Sequence, residues 1–269
     1  MPEQRPHGSV WFRADERPAR PRLSRERIVT AAIELLDAEG VEGFSMRRLA
    51  ARLHAGTMSL YSYVATKEDV LDLALDAVMD EIELDGEDAP PKHWRADLTG
   101  QLVQSRRVMQ RHTWITALIG TRPLLGPTSL ARSERFYAAL ERAGLSGPEL
   151  VAAVSTLFSY VHGYVAAENV WRSRVGTRED ELDLRRRAQR HVVAHADRYP
   201  ALARNAGLDR VGPGPDGGAD LGGAGLGDAD PGDADFGDAA FGDGFARGLD
   251  LILDGIEAAL GRGTVRGAP

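Results

Sequence analysis

Apolar residues recur at three- and four-residue steps along most of this 269-residue chain, and no segment sustains alternation of polar with β-branched apolar residues. The first pattern lines one face of a helix with 3.6 residues per turn; the second is what a half-buried strand needs. An all-α fold is therefore expected. Ser24 offers an N-cap to a first helix carrying Ile28, Ala31, Ala32, Leu35 and Leu36, and Gly40 supplies its stop. A second helix from Ser45 to Leu53 keeps Met46, Leu49, Ala50 and Leu53 inside and Arg47, Arg48 and Arg52 outside. A third, very short one runs from Thr57 to Val64, and Thr66 caps a fourth through Val70, Leu71, Leu73, Ala74, Ala77 and Val78. After a break at 86–91, longer helices are expected near 93–111, 113–121, 128–143, 147–171 and 178–196. A closing helix carries Phe245, Leu249, Ile252, Leu253, Ile256 and Leu260.

Charge divides the chain unevenly. Its net charge is -7, yet residues 1–67 hold 11 Lys and Arg against 8 Asp and Glu, while the remainder holds 22 against 32. The cationic end is where a phosphate-facing surface belongs. Residues 1–22 are rich in Pro and Arg without apolar periodicity, the composition of a flexible basic arm. Residues 212–244 contain 12 Gly, 3 Pro and 8 Asp with no Lys or Arg, too little apolar surface to offset chain entropy, so a disordered insert is expected there. With no cysteine, the chain has no disulfide, thiolate metal site or cysteine nucleophile, which fits a reducing cytoplasm. No secretory signal and no run of roughly 20 apolar residues is present, so no membrane partner is expected.

The third helix carries the chemistry. Leu60 and Val64 are four apart and face inward, which leaves the pairs Met58/Ser62 and Ser59/Tyr63 on the outer surface. Hydroxyls there suit hydrogen bonding to base edges, and Met and tyrosine rings suit thymine methyls and sugars. Lys67, opening the next helix, suits a phosphate.

These runs, Ser45-Met46-Arg47-Arg48-Leu49-Ala50, then Leu60-Tyr61-Ser62-Tyr63-Val64 and Lys67-Glu68-Asp69, resemble the tetracycline-repressor (TetR) family of transcriptional regulators at its usual spacing. The resemblance covers about residues 23–79. It implies that Arg47 points toward a base, that Thr57, Met58, Ser59, Tyr61, Ser62 and Tyr63 form the groove-facing set, and that Lys67 clamps the DNA backbone. It departs from the family at His54, where Gly is usual in the turn, with Gly56 then expected to supply the permissive backbone. Met46 stands where a hydroxyl often reaches phosphate.

The likeness extends to Gly120-Thr121-Arg122-Pro123, the Phe158–Glu168 helix and the closing helix, which are similar to segments of the tetracycline repressors themselves. By that resemblance Thr121, Arg122 and Pro123 line or gate a ligand cavity, Gln101 replaces a ligand-gripping Asn, and Glu168 lies near the acidic residue supporting the metal site. Leu118 stands where those repressors carry a magnesium-ligating His. An aliphatic side chain has no lone pair for a hard cation, so neither a metal nor any other cofactor is expected. A more apolar effector is expected instead, walled by Trp94, Trp114, Phe158, Tyr160 and Tyr164 and oriented by Arg122, Gln101 and His162.

No Gly-x-Ser-x-Gly elbow, phosphate-binding Gly-x-x-x-x-Gly-Lys loop or strand-borne Gly-x-Gly-x-x-Gly occurs, which argues against an enzyme. His191 and His195, four apart beside Val192 and Val193, read as a solvated pair rather than a metal site. The expected organisation is a disordered arm (1–22), an N-terminal helix-turn-helix DNA-binding domain (23–70) and a C-terminal effector-binding and dimerisation domain (71–262) interrupted by the insert (212–244). A homodimer paired through the 147–171 and 245–260 helices would read an inverted-repeat double-stranded operator and respond to a small molecule. The competing expectation is a helical small-molecule-binding or hydrolytic protein without specific DNA binding.

Overall fold

The computed structural model describes residues 23–82, 93–175, 177–205 and 236–266, with backbone alone at 178, 236–241 and 262–266. Among the described residues there are eleven helices and no strand. These are α1 Arg25–Gly43, α2 Met46–Arg52, α3 Thr57–Leu60, α4 Lys67–Met79, α5 Trp94–Arg111, α6 Ile115–Leu118, α7 Pro127–Ala143, α8 Gly147–Arg174, α9 Arg178–Ala194, α10 Pro200–Asn205 and α11 Phe236–Arg266. The basic arm and residues 206–235 of the chain, including most of the expected insert, lie outside the described residues.

Local chemistry sets the boundaries of the first four helices. The Ser24 hydroxyl accepts from the Arg27 N–H at 3.2 Å, and Ser45 does the same for Arg48 at 3.3 Å. Gly40 takes φ 67°, breaking α1 before one further turn to Gly43. At α4 the Thr66 hydroxyl accepts from the Asp69 N–H while the Asp69 carboxylate accepts from the Thr66 N–H, each at 3.0 Å, a reciprocal capping box. The Thr66 hydroxyl bonded to Asp69 holds that carboxyl below its ordinary range. Leu36, Leu49 and Leu60, from α1, α2 and α3, are all fully enclosed and meet Val70, Leu71 and Ala74 of α4 in one core. Burying each leucine stabilises the unit by about 1.5–3 kcal/mol.

Helix α4 also reaches the second half of the molecule, packing on α7 as well as on α1. There α5, α7, α8 and α11 enclose Leu98, Leu140, Leu157, Phe245, Leu249 and Leu253. Helix α11 is described from Phe236, so its first residues overlap the end of the expected insert. The reason lies in its partner. A Cβ at Gly244 would sit 2.5 Å from the Tyr164 hydroxyl, and one at Gly248 only 2.2 Å from that of Tyr160. Two glycines four apart on α11 thus form a notch for two tyrosines four apart on α8, and the Tyr160 hydroxyl donates to the Phe245 carbonyl at 2.9 Å. Burial pushes the Tyr160 phenol up to about 12, so it stays a donor. Composition counts only a segment's own side chains, and at Gly244 the cover comes from Tyr164 across the interface.

This packing reverses the usual sign of a helix substitution. Gly248→Ala gains about 1 kcal/mol in helix propensity but drives a methyl into the Tyr160 ring, a strain of about 1–3 kcal/mol. Urea unfolding is expected to show a net loss, and a more stable variant would disprove the notch.

Helix α8 has, over an 18-residue window, a mean hydropathy of 1.4, with 28% of that window buried. By length and composition it therefore meets the criterion for a membrane span that the sequence run-lengths had not suggested.

Candidate nucleic-acid interface and effector cavity

The third helix is shorter than its expected span to Val64. Regular geometry ends at Leu60, and the Tyr63 and Val64 N–H groups both donate to the Leu60 carbonyl, at 2.9 and 3.1 Å, closing one further turn. Leu60 is 0% exposed and Val64 is buried, whereas Met58 is 79% exposed. Ser59, Tyr61, Ser62 and Tyr63 are also exposed, and Thr57 is half-buried. The recognition segment is pinned from behind by Arg25, whose guanidinium donates to the Tyr63 carbonyl at 3.4 Å.

The α2 arginines separate by partner. Arg48 pairs with Glu39 at 2.5 Å and Arg52 with Glu34 at 2.9 Å, tying α2 to α1. Arg47 is exposed and makes no ion pair among the described residues. Lys67 donates to the Phe44 carbonyl at 3.1 Å and lies over the Phe44 ring, which engages one of its three N–H bonds. The left-handed residue of the turn is His54 itself, at φ 51°; Gly56 has φ -76° and serves as the N-cap of α3. The expectation that Gly56 supplies the permissive backbone is corrected accordingly. A non-glycine residue there is strained but tolerable as a single turn position.

A cavity of about 140 Å³ opens between α5, α7 and α8, floored by Met79 and Ile82 at the end of α4. Leu102, Met109, Val154 and Val161 give it apolar walls, and α7 contributes Ser129, Arg132, Ser133, Phe136 and Tyr137. Of the residues anticipated from the sequence, Gln101 and Phe158 line it. Leu118 and Trp114 are buried elsewhere, the Trp114 indole donating to Asp37 of α1 at 2.7 Å. Thr121 turns back to the Leu118 carbonyl at 2.8 Å, and Pro123 is exposed. His162 bonds the Thr116 carbonyl at 2.9 Å. Tyr160 and Tyr164 fill the α11 notch, and Trp94 packs on the core. Glu168 accepts from Arg106 of α5 at 2.5 and 3.1 Å and from Gln110 at 3.1 Å. The cavity residues that sequence reading missed had one signal: Ser129, Ser133 and Tyr137 step by four along α7 with Phe136 beside them.

One face of α4 joins this cavity to the DNA-binding unit. Glu68, Asp72, Asp76 and Asp80 are each four apart, stacked along that face. Arg122 donates to Asp72 at 2.8 Å and to Glu68. Asp76 accepts from the Thr128 and Ser129 N–H groups at 3.3 and 2.8 Å, capping the start of α7. The approach is close enough that a side chain at Gly126 would meet Asp76, its Cβ 2.1 Å from the carboxyl carbon. Arg122 therefore joins the effector half to α4 rather than lining the cavity.

Residues 28–74 match the family model for bacterial regulatory proteins of the tetR family, and residues 87–210 match the tetracyclin repressor-like C-terminal domain. An HTH-type transcriptional regulator of Saccharopolyspora erythraea is 47% identical over 203 residues, 75% of this chain and 83% of that protein. The chain belongs to the TetR family of transcriptional regulators. The HTH-type transcriptional repressor DrrR1 of Streptomyces coeruleorubidus is 35% identical over 204 residues, 75% of each chain. Among solved structures, apo ActR of Streptomyces coelicolor superposes with a TM-score of 0.68 at 25% identity, covering 90% of this chain and 98% of its own. ActR in complex with actinorhodin gives 0.67 at 25% identity, covering 90% and 100%. The all-α architecture and its division into TetR-type N- and C-terminal parts are thus shared with known regulators.

Proposed function

We propose that this TetR-family regulator is a cytoplasmic homodimer that represses transcription from an inverted-repeat operator and is released by a small apolar effector. The observation that carries the reading is the recognition segment: Leu60 and Val64 are enclosed while Met58, Ser59, Tyr61, Ser62 and Tyr63 face outward beside an Arg47 with no ion pair among the described residues. Bases are read by Arg47 and that surface, and Lys67 neutralises a phosphate with its remaining donors. The DNA-binding domain is assigned to 23–70 and the effector and dimerisation domain to 71–262. The action is binding rather than catalysis.

Dimerisation is supported by exposed apolar surface. Val151 and Phe158, seven apart on α8, and Leu251 of α11, flanked by the small residues Gly255 and Ala258, are solvent-facing in the single chain. Pairing two copies of α8 and α11 covers this surface as a four-helix contact. That explains the hydropathy of α8 without a membrane. Release follows from the α4 face: an effector that shifts α7 moves the cap on Asp76 and the tie at Arg122, and α4 starts three residues after Val64. A coupling of about 1–3 kcal/mol suffices to change operator occupancy. The complex of ActR with actinorhodin supports a small-molecule ligand in a protein of this architecture.

The test is mobility retardation of the DNA flanking the coding region, titrated with salt and unrelated competitor. A retarded complex that resists competitor and weakens steeply with salt is expected. A chain that leaves that DNA unshifted at low salt is not a repressor of it.

A further inference from the structure

We infer that the cavity selects an apolar acid, with a hydrocarbon body against α5 and α8 and a carboxylate held by Arg132. This deepens the effector reading above and rests on it. The walls from α4 and α8 are apolar and α5 adds Leu102 and Met109 with two neutral polar groups, Gln101 and Ser105, whereas α7 presents a hydroxyl ladder of Ser129, Ser133 and Tyr137 with Arg132 beside it. Among the described lining residues Arg132 is the one formal charge, and no carboxylate faces the cavity.

Arg132 is also weakly held. Among the described residues its polar contacts are with Asp80, at 3.7 Å to the carboxylate and 3.5 Å to the backbone carbonyl, and the Asp80 side chain is 82% exposed. Two other arginines are bound more closely: Arg142 meets Asp97 at 2.7 Å and Arg122 meets Asp72 at 2.8 Å. An ion pair with a solvated carboxylate at the outer limit of contact contributes little. A guanidinium has a planar fork of donors that matches a carboxylate with two parallel bonds. A carboxylate delivered from the apolar side, where water is scarce, competes well against Asp80. The hydroxyls of Ser133 and Tyr137 then take further oxygen substituents along the same edge. The acid also draws Arg132 from the last carboxylate of the α4 face, so occupancy is felt where α4 meets α7.

The test uses the full-length protein and two probes matched in shape, 2-naphthoate and 2-naphthylmethanol, titrated by calorimetry. Wild type is expected to bind the acid at least about tenfold more tightly than the alcohol. Arg132→Gln should bind both alike, at the alcohol's wild-type affinity, and Arg132→Lys should keep part of the preference. Val154→Trp, which fills the cavity, should abolish both. Equal binding of the two probes by wild type, both lost in Val154→Trp, overturns the acid selectivity and leaves the effector cavity standing. An acid preference that survives Arg132→Gln overturns the assignment to Arg132. Failure of wild type to bind either probe overturns the cavity reading together with its selectivity.

Discussion

The Ser62→Glu variant is expected to bind the operator about a thousandfold more weakly than wild type, with its dimer and its thermal stability unchanged. Ser62 is exposed and sits four residues after Met58 on the outward side of the recognition segment. A carboxylate there meets the phosphate field of the duplex and removes a hydroxyl suited to either a donor or an acceptor on a base edge. Each half-site is expected to lose about 2 kcal/mol, and a symmetric dimer counts the loss twice, giving about 4 kcal/mol in all. The fold is insulated because Leu60 and Val64, not Ser62, enter the core. Tyr63→Ala provides a milder step, expected at about ten- to a hundredfold over the two half-sites. Fluorescence anisotropy at fixed salt measures both. If Ser62→Glu binds the operator as wild type does, that surface does not face DNA.

The helical architecture was readable because two independent signals coincide in the sequence. The 3.6 period marks a buried stripe, and Ser24, Ser45, Thr66 and Thr177 each stand where a hydroxyl accepts from an N–H three residues on. Where only one signal exists, the boundary drifts. Helix α3 has Gly56 as its N-cap, with no side-chain oxygen, and regular structure lasts four residues before tightening into a turn. Helix α10, at Pro200–Asn205, buries no residue and so leaves no apolar stripe to read. The start of α11 differs for another reason: Gly244 signals disorder by composition, yet it fits against Tyr164 by geometry.

The two candidate sites were legible to different degrees for a related reason. The outward surface of the recognition segment depends on positions within one turn, so the spacing of Leu60 and Val64 is enough to define it. Which α2 arginines are tied to α1 depends on Glu34 and Glu39 of that helix, and the sequence alone cannot separate Arg47 from Arg48 and Arg52. The cavity draws residues from α4, α5, α7 and α8, separated by up to 82 positions between Met79 and Val161. Side chains chosen for polarity or aromaticity proved to be engaged across the fold: Trp114 reaches Asp37, Arg122 reaches Glu68 and Asp72, and Glu168 reaches Arg106. A polar or aromatic residue on an apolar helix marks a partner, and only the packing says whether that partner is ligand or protein.

Glu168 is where this distinction has the largest consequence for stability. Its side chain is 0% exposed, and it accepts two bonds from an Arg106 that is itself 11% exposed and lies over the Phe245 ring. Glu168→Ala removes the anion from beside a desolvated guanidinium, while Gln110 loses one acceptor. A loss of about 3–5 kcal/mol in urea unfolding is expected. Removing Arg106 as well should restore much of it: Arg106→Met with Glu168→Leu is expected to lie within about 1–2 kcal/mol of wild type, because apolar packing replaces a pair whose desolvation had offset its attraction. Glu68→Ala gives the contrast. It also removes a carboxylate from an arginine, yet Glu68 is 61% exposed and Asp72 remains on Arg122, so the cost should stay below about 1 kcal/mol. Both variants break one arginine–carboxylate contact, one buried and the other exposed with a second carboxylate still in place. Should Glu168→Ala lose no more than Glu68→Ala, water already reaches Arg106, and the junction of α5 with α8 and α11 is open where this structure has it closed.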